Sequence, residues 1–212
     1  MRKIFIDGGA NKGQSTRSFL REWPNAKDFE IFMFEPSPKG EVLNILKSLE
    51  NNKISLEPNA IWTHDGEITF YEKASGSQGN TLLHEKTQKE KRSFTHRKIK
   101  CISLSKWIKD NFSEDDYIIL KLDIEGAEYD VLPDLKENKV LSFIDLFFCE
   151  IHGSKCGKSF EESMELLDIC SEAGLVAYRW NGETFKFKEY KERVYTKKHL
   201  NKEFAKWKKR GL

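Results

Sequence analysis

Four short apolar runs, each closed by an acidic residue, constrain the fold of this chain more than any other feature. They occupy residues 3–6, 31–34, 117–122 and 143–149, and the closing residues are Asp7, Glu35, Asp123 and Glu150. Runs that are apolar on both faces are typical of strands buried in a parallel sheet. Segments with helical spacing separate them, at 14–23, 41–49, 104–111, 126–132 and 160–173. The alternation predicts an α/β fold, with a mostly parallel sheet and helices on both of its faces.

The chain length of 212 residues suits one domain with a substantial core, so a single domain over 1–212 is predicted. A further strand is predicted at 54–61, and 68–71 is predicted as the second arm of a hairpin. From about 63 to 98 the α/β pattern is interrupted, with a predicted loop at 75–80 and no clear period beyond it. An insert of this length in a compact domain is usually either mobile or functional, and from its position we expect it to cover the sheet edge as a lid.

The insert is also basic, since residues 84–100 hold seven Lys/Arg and two Glu. Basic clusters attract phosphate groups, so an acceptor that bears phosphate, such as a nucleotide-linked or lipid-linked sugar, is expected to bind there. Solvated basic loops are the plainer interpretation of the same charges. The predicted substrate contacts in the insert are Ser77, Asn80, Lys89 and Arg92.

The C-terminal part combines a hairpin signal with a basic tail. Apolar stretches at 175–180 and 184–187 flank Asn181-Gly182, a pair typical of tight antiparallel turns. Residues 186–212 carry eleven Lys/Arg and three Glu, and Phe204 and Trp207 lie among them. Aromatic residues between basic ones can stack on bases, which keeps an RNA methyltransferase or a nucleic-acid-binding protein as the alternative function. A docked C-terminal helix explains the same spacing more simply.

Composition points to a cytoplasmic protein without a membrane span. The four cysteines form no C-x-x-C pair, which argues against a zinc site or a thioredoxin-like motif. The N-terminal apolar run is too short for a signal peptide or a membrane-spanning helix. Nothing in the sequence indicates the oligomeric state.

The polar residues that come after the predicted strands indicate a ligand site. In an open parallel sheet, ligands bind beyond the carboxyl ends of the strands, where Asp7, Glu35, Asp123 and Glu150 are expected. Glycines after the first strand permit a tight turn, and a carboxylate after the second strand can accept hydrogen bonds from both hydroxyls of a ribose. An NAD-dependent oxidoreductase shares these two features, but it usually has glycine at the position of Ala10.

Three segments of the sequence resemble FkbM-type methyltransferases. They are Phe5-Ile6-Asp7-Gly8-Gly9-Ala10-Asn11-Lys12-Gly13, Phe34-Glu35-Pro36-Ser37-Pro38 and Leu120-Lys121-Leu122-Asp123-Ile124-Glu125-Gly126-Ala127-Glu128. The order and spacing also agree, over roughly residues 4–152. The resemblance implies a Rossmann-like class I methyltransferase fold with a C-terminal antiparallel hairpin. It also implies S-adenosyl-L-methionine as cofactor and a hydroxyl of a sugar, glycan precursor or natural product as acceptor.

The resemblance also implies the cofactor-binding residues. Those predicted to bind S-adenosyl-L-methionine are Asp7, Gly8, Gly9, Ala10, Asn11, Gly13, Glu35, Pro36, Ser37, Asn59, Ala60 and Asp123. At Gly8 the family more often has a larger apolar residue, and we expect this departure to affect packing rather than binding.

Methylation of a hydroxyl requires a group that takes up its proton. The candidates located just after strand ends are Asp123, Glu125, Glu150 and His152. Asp123, Glu150 and His152 can alternatively hold a divalent cation such as Mg²⁺ or Mn²⁺, because carboxylates and imidazole suit these ions. Glu125 and Glu128 also fit as acids in the first turn of a helix, the interpretation we favour for Glu128.

Overall fold

The computed structural model describes residues 1–38, 53–73, 79–89, 93–180, 185 and 189–209. Its strands are β1 Lys3–Gly8, β2 Glu30–Phe34, β3 Ile54–Glu57, β4 Ala60–Trp62, β5 Gly66–Lys73, β6 Phe94–Ser103, β7 Tyr117–Leu122, β8 Leu146–Cys149 and β9 Ala177–Arg179. Its helices are α1 Gln14–Glu22, α2 His84–Lys89, α3 Leu104–Asn111, α4 Glu128–Glu137, α5 Phe160–Glu172 and α6 Lys197–Lys209. The helix predicted at 41–49 lies outside the described residues.

The main sheet confirms the predicted α/β fold. Within the described residues it has six strands in the order β3-β2-β1-β7-β8-β9, and every neighbouring pair is parallel. Side chains of β1 alternate between two cores, because Ile4 and Ile6 pack in one cluster while Phe5 packs in the other. Both faces of the sheet are therefore covered, and the polar residues gather beyond the carboxyl ends of the strands.

A second sheet occupies part of the predicted insert and corrects two predictions. The strand predicted at 54–61 is interrupted at Pro58-Asn59, so β3 joins the main sheet and β4 joins a three-stranded sheet in the order β4-β6-β5. Among the described residues, no strand that precedes the segment 68–71 in the sequence pairs with it. It belongs to β5, which is antiparallel to β6 from Gly66↔Cys101 to Lys73↔Phe94. The sequence predicted no regular structure at β6. Its few inward-facing side chains are separated by exposed ones, several of them basic, so the strand has no clear apolar pattern.

Helix α4 continues past Pro133, where the sequence predicted its end. Proline removes one backbone hydrogen bond from a helix. Here Val131, Leu132 and Leu135 are buried in the main core, and we attribute the continuation of the helix to that packing. The strand predicted from residue 143 begins at Leu146 because Leu141–Phe143 forms a short 3₁₀ turn.

The C-terminal hairpin remains a prediction, since its second arm at 184–187 lies outside the described residues except for Phe185. Strand β9 is parallel to β8, and the chain returns antiparallel to it at a single bridge between Tyr178 and Val194. Among the described residues, no helix has the length and apolar character needed to cross a bilayer.

Candidate active site

Asp7 lies inside the fold rather than at its surface. Its side chain is 0% exposed, and Oδ2 accepts hydrogen bonds from Ser15 Oγ at 2.5 Å and Thr16 Oγ1 at 2.7 Å. Its Oδ1 lies 3.1 Å from Nζ of Lys121, which is also buried. Asp7 therefore ties β1 to α1 and β7, and the structure gives it no surface on a ligand cleft.

Lys121 also fixes the glycine turn at the end of β1. Its Nζ donates hydrogen bonds to the carbonyl oxygens of Gly8 at 3.0 Å and Gly9 at 2.8 Å. Burial alone would lower the pKa of Lys121, but the facing carboxylates of Asp7 and Asp123 raise it. The turn needs glycine at Gly9, which has a φ of +77° and where a Cβ would lie 2.0 Å from the carbonyl oxygen of Asp123.

A cleft opens beyond the carboxyl ends of β1, β2 and β7, with about 780 Å³ of empty space including its open mouth. Eight of the predicted cofactor residues line it. They are Gly9, Asn11, Glu35, Pro36, Ser37, Asn59, Ala60 and Asp123. The other four, Asp7, Gly8, Ala10 and Gly13, are not among its lining residues. A Cβ at Gly8 would meet the side chains of Ile61 and Leu122 at 2.8 Å, so this position is indeed restricted by packing.

Glu35 holds the loops after β1 and β2 together. Its Oε2 accepts a hydrogen bond from the backbone N–H of Asn11 at 2.8 Å, and its Oε1 accepts one from Ser37 at 2.9 Å. Burial raises the pKa of Glu35, partly offset by these two hydrogen bonds. Each carboxylate oxygen can accept more than one hydrogen bond, so Glu35 can also bind a pair of neighbouring hydroxyls in the cleft.

The insert forms the remaining wall of the cleft, contributing Phe70, Gly79, Asn80, Thr81 and Leu82. At the rim, Ser37 Oγ donates to Glu72 Oε1 at 2.9 Å, and Arg97 Nε donates to Glu72 Oε2 at 2.7 Å. Arg97 of the basic stretch therefore supports the cleft wall.

Only some of the predicted substrate residues lie within the described part of the chain. Asn80 lines the cleft, and its Oδ1 accepts a hydrogen bond from the backbone N–H of Lys73 at 3.1 Å. Ser77, Arg92 and the side chain of Lys89 lie outside the described residues.

His152 is the centre of an acidic cluster next to the cleft. Its Nδ1 lies 3.2 Å from Glu128 Oε1, and its Nε2 faces three further carboxylates. These are Asp123 Oδ1 at 3.6 Å, Glu125 Oε2 at 3.5 Å and Glu150 Oε1 at 3.5 Å. Burial alone would lower the pKa of His152, but Glu125 and Glu128 raise it to about 9. The imidazole is therefore protonated at neutral pH and holds the other three predicted catalytic residues, Asp123, Glu125 and Glu150, in one group.

The carboxylates of this cluster differ in their pKa values. Burial raises the pKa of Asp123 to about 6, against the opposing charges of Lys121 and His152. Burial would also raise the pKa of Glu125, but His152 and Lys86 lower it to about 2. Lys86 comes from α2 in the insert. Its fully buried Nζ forms an ion pair with Glu125 Oε2 and donates to the carbonyl oxygen of Gly79 at 3.3 Å.

Glu125 and Glu128 have different positions relative to α4. Glu128 is an acid of the first turn of α4, as predicted, although the helix begins at Glu128 and not at Gly126. Its two carboxylate oxygens accept the N–H groups of Ile124 and Gly126, each at 2.8 Å. Glu125 precedes the helix, so its alternative interpretation as a first-turn acid is wrong. It occupies a left-handed backbone conformation with a φ of 56°, and its carbonyl accepts a hydrogen bond from Thr81 Oγ1 at 2.8 Å.

Comparison with known families decides the class of this site. Residues 7–176 match the model of the methyltransferase FkbM domain. The chain belongs to the FkbM methyltransferase family. No curated protein and no solved structure matches it. The family match confirms the resemblance seen in the sequence and favours a methyltransferase over an oxidoreductase.

In this FkbM domain, the side chains that could bind a divalent cation already interact with positive charges of the protein. One ligand atom each from Asp123, Glu125 and His152 lies within 4.8 Å of the others, so Glu125 takes the place that the sequence prediction gave to Glu150. These donors suit Mg²⁺ or Mn²⁺. However, Lys86 already neutralises Glu125, and a protonated imidazole has no lone pair to offer a metal. A bound cation would have to displace Lys86 and the proton of His152.

Two lysines of the FkbM domain, Lys121 and Lys86, were not predicted as site residues. Lys121 had a detectable signal, because it interrupts an otherwise apolar strand two residues before Asp123. Lys86 had none, because it lies in a basic stretch where lysine is ordinarily exposed. Both are buried beside a carboxylate, which only the tertiary structure reveals.

Proposed function

We propose that the protein is an S-adenosyl-L-methionine-dependent O-methyltransferase that acts on a hydroxyl of a sugar, glycan precursor or natural product. One observation carries the proposal: Asp123 lines the cleft and also belongs to the acidic cluster around His152. A methyl donor held in the cleft therefore lies beside a group that is able to accept a proton.

The cleft suits the proposed cofactor in the order of its polar groups. Its carboxylate at Glu35 fits the two ribose hydroxyls, with Ser37, Asn59 and Ala60 toward the adenine. The glycine turn contributes Gly9 and Asn11 to the cleft lining, and we assign it to the methionine end. When bound, S-adenosyl-L-methionine supplies an electrophilic methyl group on a positively charged sulfur.

The chain itself supplies orientation, proton uptake and exclusion of water. With a pKa of about 6, Asp123 is mostly ionised at pH 7 and able to accept the proton of an acceptor hydroxyl. Protonated His152 and Lys86 offset part of the negative charge of the surrounding carboxylates, and we propose that the reaction needs no added metal. The insert residues Thr81 and Leu82 cover the cleft and limit the access of water.

A small acceptor is favoured over RNA by the packing of the C-terminal helix. Leu200 is fully buried, and the ring of Phe204 packs edge-on against Phe160 with a centroid distance of 5.8 Å. Phe204 is thus engaged in the fold instead of being available to stack on a base. We also propose a cytoplasmic location, supported by four cysteines that are free and buried.

Calorimetric titration of S-adenosyl-L-methionine and S-adenosylhomocysteine tests the cofactor. We expect binding to the wild-type protein, weakened at least about tenfold by Glu35→Gln, because a charged hydrogen-bond acceptor contributes about 1.5–3 kcal/mol. Glu67→Gln is the matched control, since Glu67 is an exposed acid on β5 away from the cleft. Absence of binding to the wild-type protein would rule out the proposed cofactor.

Activity toward hydroxylated acceptors tests the reaction, with methyl transfer followed by mass spectrometry. Each acceptor is assayed with added Mg²⁺ and with a chelator in its place. Equal rates in the two conditions support a metal-independent reaction, whereas loss of activity with the chelator would contradict it.

A further inference from the structure

A second cavity lies on the other side of the acidic cluster, near the carboxyl ends of β8 and β9. It has about 640 Å³ of empty space including its open mouth, and its lining residues are Glu150, Arg179, Trp180, Arg193 and Glu203. None of these lines the cleft proposed for the cofactor. The two spaces are linked through His152 Nε2, which contacts Asp123 of the cleft at 3.6 Å and Glu150 of the second cavity at 3.5 Å.

Arg179 is the cationic group of this cavity that most requires a partner. Its Nε is buried and makes no hydrogen bond within the described part of the chain. An unsatisfied buried donor is costly, and in native proteins it often marks the position of a ligand or an ordered water. Arg193 lines the same cavity with a side chain that is only 14% exposed.

The two acids of the cavity do not fully neutralise the guanidinium group of Arg179. Glu150 Oε1 is already paired with Lys155 Nζ at 3.6 Å and with His152 Nε2. Burial, together with the charge of Glu150, raises the pKa of Glu203 to about 7, so Glu203 carries only part of a charge at neutral pH. Arg179 therefore faces the cavity with a positive charge that is not locally balanced.

We propose that this second cavity binds the methyl acceptor, and that the acceptor is a small hydroxylated molecule with an acidic group, a carboxylate or a phosphate. Arg179 and Arg193 bind the acidic group, since guanidinium groups match both oxyanions in shape and charge. The hydroxyl to be methylated then points toward Glu150 and Asp123. This inference rests on the proposed function, which it deepens by naming the class of acceptor.

The cavity lies apart from the basic insert in which the sequence predicted the phosphate contacts. That prediction placed the acidic group at Lys89 and Arg92, whereas the second cavity draws on β9 and on the segment before α6. The two locations differ in their residues, so substitutions separate them directly.

The test uses four probes: glucose 6-phosphate, glucuronate, inorganic phosphate and neutral glucose. Binding to the full-length protein is measured by ligand-observed NMR and calorimetry, with and without S-adenosylhomocysteine. We expect the anionic probes to bind and glucose to bind at least about tenfold more weakly. Arg179→Gln and Arg193→Gln should each weaken the anionic probes at least about tenfold, and Arg179→Lys should restore part of the affinity.

Two sets of control variants make the result specific. Lys100→Gln removes an exposed positive charge on β6 and should leave binding unchanged. If Lys89→Gln and Arg92→Gln weaken the anionic probes while Arg179→Gln does not, the acidic group binds at the insert and the proposal is overturned. The proposal is likewise overturned if glucose binds as tightly as its phosphate, or if no anionic probe binds.

Binding of S-adenosylhomocysteine, measured on the same samples, serves two purposes. Retained binding by the Arg179 and Arg193 variants shows that they are folded. If the wild-type protein binds the anionic probes through Arg179 but does not bind S-adenosylhomocysteine, the cavity is an anion site and the proposed function fails. If S-adenosylhomocysteine binds and the anionic probes do not, only the acceptor proposal fails.

Discussion

The loops after β1 and β7 both involve an aspartate at the same edge of the sheet, yet the two aspartates have opposite environments. Asp7 is 0% exposed, accepts hydrogen bonds from Ser15 and Thr16, and forms an ion pair with Lys121. Asp123 has a side chain that is 20% exposed, and its Oδ1 faces the protonated His152 across 3.6 Å. The difference arises from the chain segment after each aspartate. Helix α1 contributes two hydroxyls to Asp7, whereas the loop after Asp123 adds further carboxylates. We therefore call the Asp7 site structural and the Asp123 site, which holds the proposed proton acceptor, reactive.

The largest expected effect is on stability, at the structural site. Asp7→Asn leaves the ammonium of Lys121 buried without its opposite charge, so we expect the free energy of unfolding to fall by about 3–5 kcal/mol. Urea denaturation measures the change. In the matched control, Asp28→Asn removes a carboxylate that is 50% exposed and 3.8 Å from Lys3, and should cost at most about 1 kcal/mol. Similar losses in both variants would mean that Asp7 has no special structural role.

At the reactive site the same substitution should affect catalysis more than stability. Asp123→Asn removes the proposed proton acceptor, and we expect kcat to fall by about 10²–10⁴-fold. Its free energy of unfolding should change much less than that of Asp7→Asn, as measured by the same urea denaturation. Binding of S-adenosylhomocysteine checks that the cleft is intact. A variant that keeps more than about a third of wild-type kcat would show that another group takes up the proton.

The fall of kcat at acidic pH is a smaller expected effect that tests the same difference between Asp7 and Asp123. Asp123 must be ionised to accept a proton, and its pKa is raised by burial to about 6. We therefore expect kcat to rise with pH up to about 6 and to fall about tenfold for each pH unit below it. Initial rates measured from pH 5 to 8 test this dependence. This fall should be absent from the residual activity of Asp123→Asn, and its persistence there would assign it to another group.

Local patterns predicted the central strands because the information they need lies within each segment. The apolar run at 117–122 coincides with β7, and the spacing at 104–111 coincides with α3. Strand β6 was missed for the opposite reason. It is stabilised by pairing with β5, a distant segment of the chain, and a strand with exposed Lys98 and Lys100 has a weak apolar signal of its own.

The candidate site was predictable to the extent that its residues lie at the strand ends. Asp123, Glu150 and His152 could be assigned to one edge because parallel strands end together. The burial of Lys121 and Lys86 at this edge was not predictable. A lysine is ordinarily exposed, and burial of Lys121 or Lys86 depends on a carboxylate contributed by a distant segment.

The smallest expected effect concerns Lys86, the counterpart of Lys121 at the reactive site. Lys86 joins the short helix α2 to Glu125, while Glu125 keeps His152 as a second partner at 3.5 Å. Lys86→Met retains the apolar stem and removes the charge, so we expect the insert to close less firmly over the cleft. The KM for S-adenosyl-L-methionine should rise by about threefold to tenfold, equivalent to about 0.7–1.4 kcal/mol, with kcat changed less.

Steady-state kinetics and limited proteolysis of the insert measure this effect, with Lys98→Met as an exposed control on β6. Increased cleavage near α2 in Lys86→Met alone would support a tether between the insert and the acidic cluster. A loss of unfolding free energy as large as that of Asp7→Asn would instead make Lys86 a structural residue like Lys121. The contrast between the two loops would then lie in their carboxylates and not in their lysines.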